Sequence, residues 1–221
     1  MNRLLTILAL AAPILYLPLA SVLPYPAGVV LKASMCVLLA CLAWRHTSPL
    51  LAIALLFSAI GDSLLAVDST RFFVPALGSF LITHVLYAVI FVRVSRKAPI
   101  AMTGWRQAGM IAAVVFALSY SFILWPHLGA LAIPVVLYIA AIVAMTALSF
   151  RVPQLFVPVG AVLFMTSDSL IALGKFLWPM RWLGLVIWMT YAMGQLLITF
   201  GLLRRASSSE SKQRTLASDL A

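Results

Sequence analysis

Two carboxylic acids stand where hydrocarbon is expected. Asp62 opens Asp62-Ser63-Leu64-Leu65-Ala66 and Asp168 opens Asp168-Ser169-Leu170-Ile171-Ala172, both near the ends of long apolar runs. An acid inside a membrane-spanning segment costs at least ~2.5–3.5 kcal/mol on insertion scales, so it is kept for function or for a buried partner. Other apolar runs carry Lys32, His84, Tyr87, Tyr191 and Gln195. Helical spacing puts His84 and Tyr87 on one face and Tyr191 and Gln195 on another. Two carboxyls, an ammonium, an imidazole, phenols and a carboxamide suit proton transfer. If the aspartates approach one another they cannot both ionise cheaply, so they would hold one proton between them, with Lys32 keeping the other acid as carboxylate. That is the acid-plus-base arrangement of hydrolytic enzymes.

Other chemistries are disfavoured. His84 is the one histidine inside an apolar run, and no cysteine or second histidine has zinc-ligand spacing, so neither metal nor cofactor is expected. No Ser lies in a Gly-x-Ser-x-Gly context, and Ser63 and Ser169 are expected to bond back to helix carbonyls. Cys36 and Cys41 face different directions on one helix and cannot form the usual bridge. Two plainer readings stand beside these: Asp62 and Asp168 as interhelical hydrogen-bond partners, and Lys32 snorkelling to the interface.

The elements that must position these residues follow from composition. Of the 221 residues 64% are hydrophobic and 9% charged, which excludes a soluble globular domain. At about 20 apolar residues per crossing, the punctuation predicts an all-α, polytopic bundle of eight transmembrane helices. They run from Leu4 to Leu23, Gly28 to Trp44, Leu50 to Val67, Phe72 to Val92, Gln107 to Leu124, Leu128 to Phe150, Leu155 to Phe176 and Trp182 to Leu203. The first is read as a retained helix rather than a cleaved signal, because the run is long for that purpose. Residues 1–206 form one membrane domain and 207–221 a disordered cytoplasmic tail. Trp178 and Trp182 are expected at the interface.

The net charge of +10 does not imply nucleic acid. The basic residues gather at helix ends in the pattern that sets orientation, with both termini cytoplasmic and only Arg71, Lys175 and Arg181 on the outer side. In a bacterial-looking chain this means a multi-pass protein of the inner membrane.

The offset of 106 residues from Asp62 to Asp168 also aligns Val29-Val30-Leu31-Lys32 with Val135-Val136-Leu137-Tyr138 and Arg45 with Arg151. The chain reads as a duplication, with halves of about 1–105 and 106–206. Four helices per half make it a 4+4 parallel repeat about an axis along the membrane normal. Asp62 and Asp168 then sit at equal depth, and Tyr138 stands where the first half has Lys32.

The residues Lys32, Gly61-Asp62-x-x-Leu65, Phe80-x-x-x-His84-x-x-Tyr87, Gly160-Ala161-x-x-Phe164-x-x-Ser167-Asp168-x-x-Ile171-Ala172 and Thr190-Tyr191-x-x-x-Gln195-x-Leu197-Ile198 resemble the YhhN family of membrane lysoplasmalogenases. The resemblance runs from the second helix to the eighth, in family order. One departure is Ala33, where the family usually has Pro after the Lys, which bears on local helix geometry and leaves retention of activity open. The resemblance implies an enzyme that hydrolyses the vinyl-ether bond of a lysophospholipid in the bilayer, a lysoplasmalogen, to fatty aldehyde and glycerophosphocholine or glycerophosphoethanolamine. It implies Asp62 and Asp168 as the catalytic acid and base, and His84, Tyr191 and Gln195 as groups positioning water or the glycerol hydroxyls. Lys32 would tune the aspartates or meet the phosphate, with Tyr87, Tyr138 and Ser167 supporting. Arg71, Lys175 and Arg181 would hold the head group.

Two other classes fit the same features. Duplicated halves with intramembrane acids also mark a small-molecule or proton-coupled transporter. A non-catalytic lipid-binding membrane protein is the third reading.

Overall fold

The computed structural model describes residues 2–19, 22–180 and 182–218; the side chains of residue 2 and of residues 205–218 lie outside the description. The described residues fold into eight α-helices: α1 (Asn2–Leu19), α2 (Ala27–Arg45), α3 (Pro49–Val67), α4 (Phe73–Lys97), α5 (Gly104–Leu124), α6 (Ala132–Ser149), α7 (Phe156–Phe176) and α8 (Leu183–Ser218). Short 3₁₀ turns, Trp125–His127 and Gly129–Leu131, link α5 to α6.

Seven of these helices, α2 to α8, are long and apolar enough to cross a membrane; α1 offers only the shorter apolar stretch Arg3–Leu19. Ala20 and Ser21, inside the predicted run Leu4 to Leu23, lie outside the described residues. A difference lies at α4. Arg93, Arg96 and Lys97, expected in a loop, are its last helical residues, where cations also complement the partial negative charge of a helix C-terminus. The helix assignment of α8 likewise runs to Ser218, into residues expected as a tail; their side chains, and residues 219–221 altogether, lie outside the described residues.

Sequential helices pack side by side, α1 on α2, α2 on α3 and α3 on α4. In the second half α6 packs on α7 and α7 on α8. Contacts of α4 with α6, and of α8 with α2 and α1, close the bundle, while α5 sits outside against α6. Polarity is sorted as a hydrocarbon solvent demands. Ile14, Leu118, Phe122 and Ile133 face outward, whereas Ser58, Asp62, Thr83, His84 and Gln195 are buried among the helices. This is a multi-pass membrane protein.

Arg106, at the start of α5, is a buried exception among the cations. Its guanidinium donates to the carbonyls of Phe150 at 2.7 Å, Val152 at 2.8 Å and Pro153 at 3.1 Å, which pins α5 to the α6–α7 connection. Read from sequence as an orientation marker, it is also a tertiary staple, because those carbonyls have left the helical ladder and need donors.

Candidate functional site

Helices α3 and α7 bring Asp62 and Asp168 to the wall of one open cavity of about 660 Å³, on the side of the α3–α4 and α7–α8 connections. Lys32 of α2, Tyr191 and Trp188 of α8, and Tyr16 of α1 complete much of its lining. Each aspartate has its own phenol. Tyr191 donates to Asp62 Oδ2 at 2.7 Å, and Tyr138 of α6 donates to Asp168 Oδ2. No hydrogen bond joins the two carboxyls among the described residues; each is held by its own phenol on the wall of the one chamber.

Around Asp62 the network runs inward. The Cys36 thiol lies 3.2 Å from the Tyr191 hydroxyl and 3.7 Å from Asp62 Oδ2. Gln195 accepts from the Tyr87 hydroxyl and donates to Ser58 Oγ at 2.8 Å and, more weakly, to Tyr191 at 3.4 Å. Ser58 donates to Thr83 at 3.2 Å, and Thr83 to the Ala54 carbonyl at 3.0 Å. Tyr87 and Gln195 do not line the cavity; Gln195, between the Tyr87 and Tyr191 hydroxyls, backs Tyr191 from behind the wall.

Around Asp168 the packing is aromatic. His84 Nε2 lies 3.5 Å from Asp168 Oδ2, and its ring is edge-on to Tyr138 and tilted against Phe164, with centroids 5.1 and 4.8 Å away. Both imidazole nitrogens are buried, and neither makes a well-aligned hydrogen bond among the described residues. His84 and Tyr87, one face of α4 by spacing, thus serve different acids, the first reaching Asp168 and the second the Asp62 side through Gln195. His84 too sits behind the cavity wall.

The remaining candidates divide. Lys32 lines the cavity without ion-pair contact to Asp62 among the described residues. Lys175 lines it as well, with its ammonium 4.1 Å from the centroid of Phe73. Arg71 is exposed and absent from the lining; its backbone N–H, with that of Thr70, donates to Asp68 Oδ1, and its guanidinium lies over Phe72. Arg181 lies outside the described residues. Ser167 lines the cavity but donates to the Ile187 carbonyl at 3.0 Å, which ties α7 to α8. Ser63 and Ser169 bond back to Ala59 and Met165, both at 2.8 Å, as expected.

Sequence reasoning missed Cys36, Ser58, Thr83, Tyr16 and Trp188. The first three had a signal: Cys36 follows Lys32 by one helical turn, Ser58 precedes Asp62 by one, and Thr83 precedes Tyr87 by one. Tyr16 and Trp188, whose rings lie 4.4 Å apart, join α1 to α8 and could be found only from the packing.

A multi-pass helical membrane protein with two acids on one cavity, Asp62 buried and Asp168 half-buried, is the class that fold and site define. Comparison narrows it: the YhhN family matches residues 27–202, and the chain belongs to that family. It is 42% identical over 181 residues to proteins named lysoplasmalogenase from Mycobacterium bovis and Mycobacterium tuberculosis, covering 77% of this chain and 68% of each relative. It is 30% identical over 176 residues to the human protein named lysoplasmalogenase TMEM86A, covering 75% of this chain and 70% of that one. No solved structure matches the chain.

Proposed function

We propose that this protein is an intramembrane hydrolase that cleaves the vinyl-ether bond of lysoplasmalogens, giving a fatty aldehyde and glycerophosphocholine or glycerophosphoethanolamine. The observation that carries the reading is the pair Asp62 and Asp168 on one cavity, each accepting a hydrogen bond from its own tyrosine, in a chain that shares 42% identity with proteins named lysoplasmalogenase.

One aspartic acid protonates the β-carbon of the vinyl ether, which leaves an oxocarbenium ion at the α-carbon. The other, as carboxylate, stabilises that cation and takes a proton from the water that adds to it. The resulting hemiacetal collapses to aldehyde and alcohol. Tyr138 and Tyr191 orient the acids, and Gln195, Tyr87 and Cys36 fix Tyr191. His84 supports Asp168. Lys32 and Lys175, on the cavity wall, meet the phosphate as charge-assisted donors, with Arg71 and Arg181 near the same connections in sequence.

The wider arrangement belongs to the same proposal. The chain lies in the inner membrane with both termini cytoplasmic, and its halves are repeats. At the 106-residue offset α2, α3 and α4 fall on α6, α7 and α8, and the α4–α6 contact has its counterpart in α8–α2. Helices α3 and α7 run unbroken past their acids, through Gly61 and Gly160, which supports a fixed pocket over the moving gate of a carrier.

The test is aldehyde release from a vinyl-ether lysophospholipid by the purified protein. Its absence defeats the reading. Substrate flux into proteoliposomes would favour the carrier, and saturable lipid binding without turnover a lipid-binding protein.

A further inference from the structure

A second cavity borders the same acid. It is a narrow crevice between α4, α5, α6 and α7 whose wall shares Leu65, Phe73, Phe80, Asp168 and Ile171 with the polar cavity. The rest of its wall is nearly all hydrocarbon. Its other phenols and hydroxyls are committed: Tyr120 donates to the Ser169 carbonyl at 2.6 Å, Tyr138 to Asp168, and Ser169 to the Met165 carbonyl. Asp168 is the one charged residue on it among the described residues. From Met165 to Phe176 the crevice follows α7 for about 16 Å. Phe116 of α5, on its wall, is also exposed to the lipid side.

We infer that this crevice is the binding site for the single hydrocarbon chain of the lysophospholipid, with its head group in the polar cavity and its first two chain carbons at Asp168. The inference rests on the proposed hydrolysis and adds the chain subsite to it. The occupant follows from the two cavities together. A polar, lysine-lined chamber that shares one acid with an apolar slot fits an amphiphile with one tail. Ala117 and Ile139 then flank the chain close to the acid, one turn from Tyr120 and next to Tyr138, and the outer helix α5, packed chiefly on α6, is the side through which a chain slides in from the bilayer.

The experiment uses the full chain in nanodiscs. A lysophosphocholine with a diazirine at the end of its alkyl chain is photolysed and the labelled peptides are mapped, with and without excess unlabelled lysophosphocholine. Labels on the Phe116–Ala117 and Ile139 segments, lost on competition, are expected. In parallel, Ala117→Phe, which narrows the crevice, should raise KM for a long-chain (octadecenyl) vinyl-ether substrate by about tenfold, and by more than for a short-chain (octenyl) one. Phe116→Ala, at the lipid-exposed mouth, should raise the long-to-short preference and serves if the larger substitution fails to fold. Labelling confined to other segments, or equal effects on both chain lengths, overturns the inference. Aldehyde release with labels elsewhere discards the crevice and keeps the hydrolysis; competed labels in the crevice without aldehyde do the reverse.

Discussion

Gly160 of α7 and Gly194 of α8 meet backbone to backbone: a β-carbon on Gly160 would lie 2.8 Å from the Gly194 carbonyl oxygen, and one on Gly194 2.9 Å from that of Gly160. Small residues allow this approach where lipid supplies no hydrophobic drive for helix association. Asp168 lies on one of these helices and Tyr191 and Gln195 on the other, so the contact sets the width of the site. Gly194→Val should force the helices apart at a cost of about 1–3 kcal/mol, lower the unfolding temperature in detergent, and reduce activity with either chain length. Unchanged stability would show that the helices are not held at this point.

Asp62→Asn and Asp168→Asn keep the shape of each side chain and remove the exchangeable acid. Each should cut aldehyde release by about 10²–10⁴-fold, the range of a lost general acid or base, while the protein stays folded by circular dichroism. Undiminished release from either variant would remove that residue from the chemistry.

The phenols give a graded version of the same test. Tyr191→Phe and Tyr138→Phe each remove one hydrogen bond to a carboxyl, worth about 1.5–3 kcal/mol if the acceptor is charged, and should slow turnover roughly ten- to a hundredfold. Combining each with its own aspartate substitution should add little more, because the pair acts as a unit. Full additivity would mean that phenol and acid act independently.

Gln195 does not line the cavity, so its removal should be felt through Tyr191. Gln195→Leu strands the Tyr87 hydroxyl that it accepts, at a cost of about 1–3 kcal/mol. The expected kinetic signature is a lower kcat with KM nearly unchanged. A change confined to KM would place the carboxamide against substrate instead.

Arg106→Lys keeps the charge but cannot reach three carbonyls with a planar fork. Loosening of α5 is expected, seen as faster hydrogen exchange in Gly104–Leu124 and a lower unfolding temperature. Exchange unchanged in that helix would deny the staple.

Asp68, outside the spans, has a pH signature. The backbone N–H groups of Arg71 and Thr70 hold its carboxyl below the usual carboxylate range. A depressed folded-state value means that its stabilisation is present above the unfolded value and fades as pH falls through the folded one. The advantage of wild type over Asp68→Asn should therefore hold at neutral pH and shrink below about pH 4; an advantage that grows on acidification would reverse the assignment.

The apolar runs alone determined that this chain is a helical membrane protein, and where helices two to eight lie, because hydrocarbon forces every spanning backbone to satisfy its own hydrogen bonds. They also exposed Asp62, Asp168, Lys32 and Tyr191, since polar groups are rare enough there to stand out. The same rarity hid Ser58, Thr83 and Cys36, small groups that raise little signal in an apolar run. What only the tertiary structure decided is which partner each group finds. Helical spacing puts His84 beside Tyr87, but the neighbours across the bundle send one to Asp168 and the other to Gln195. Spacing is local, whereas the pairing of each acid with its own phenol, the staple at Arg106 and the crevice between α4 and α7 depend on helices far apart in the chain.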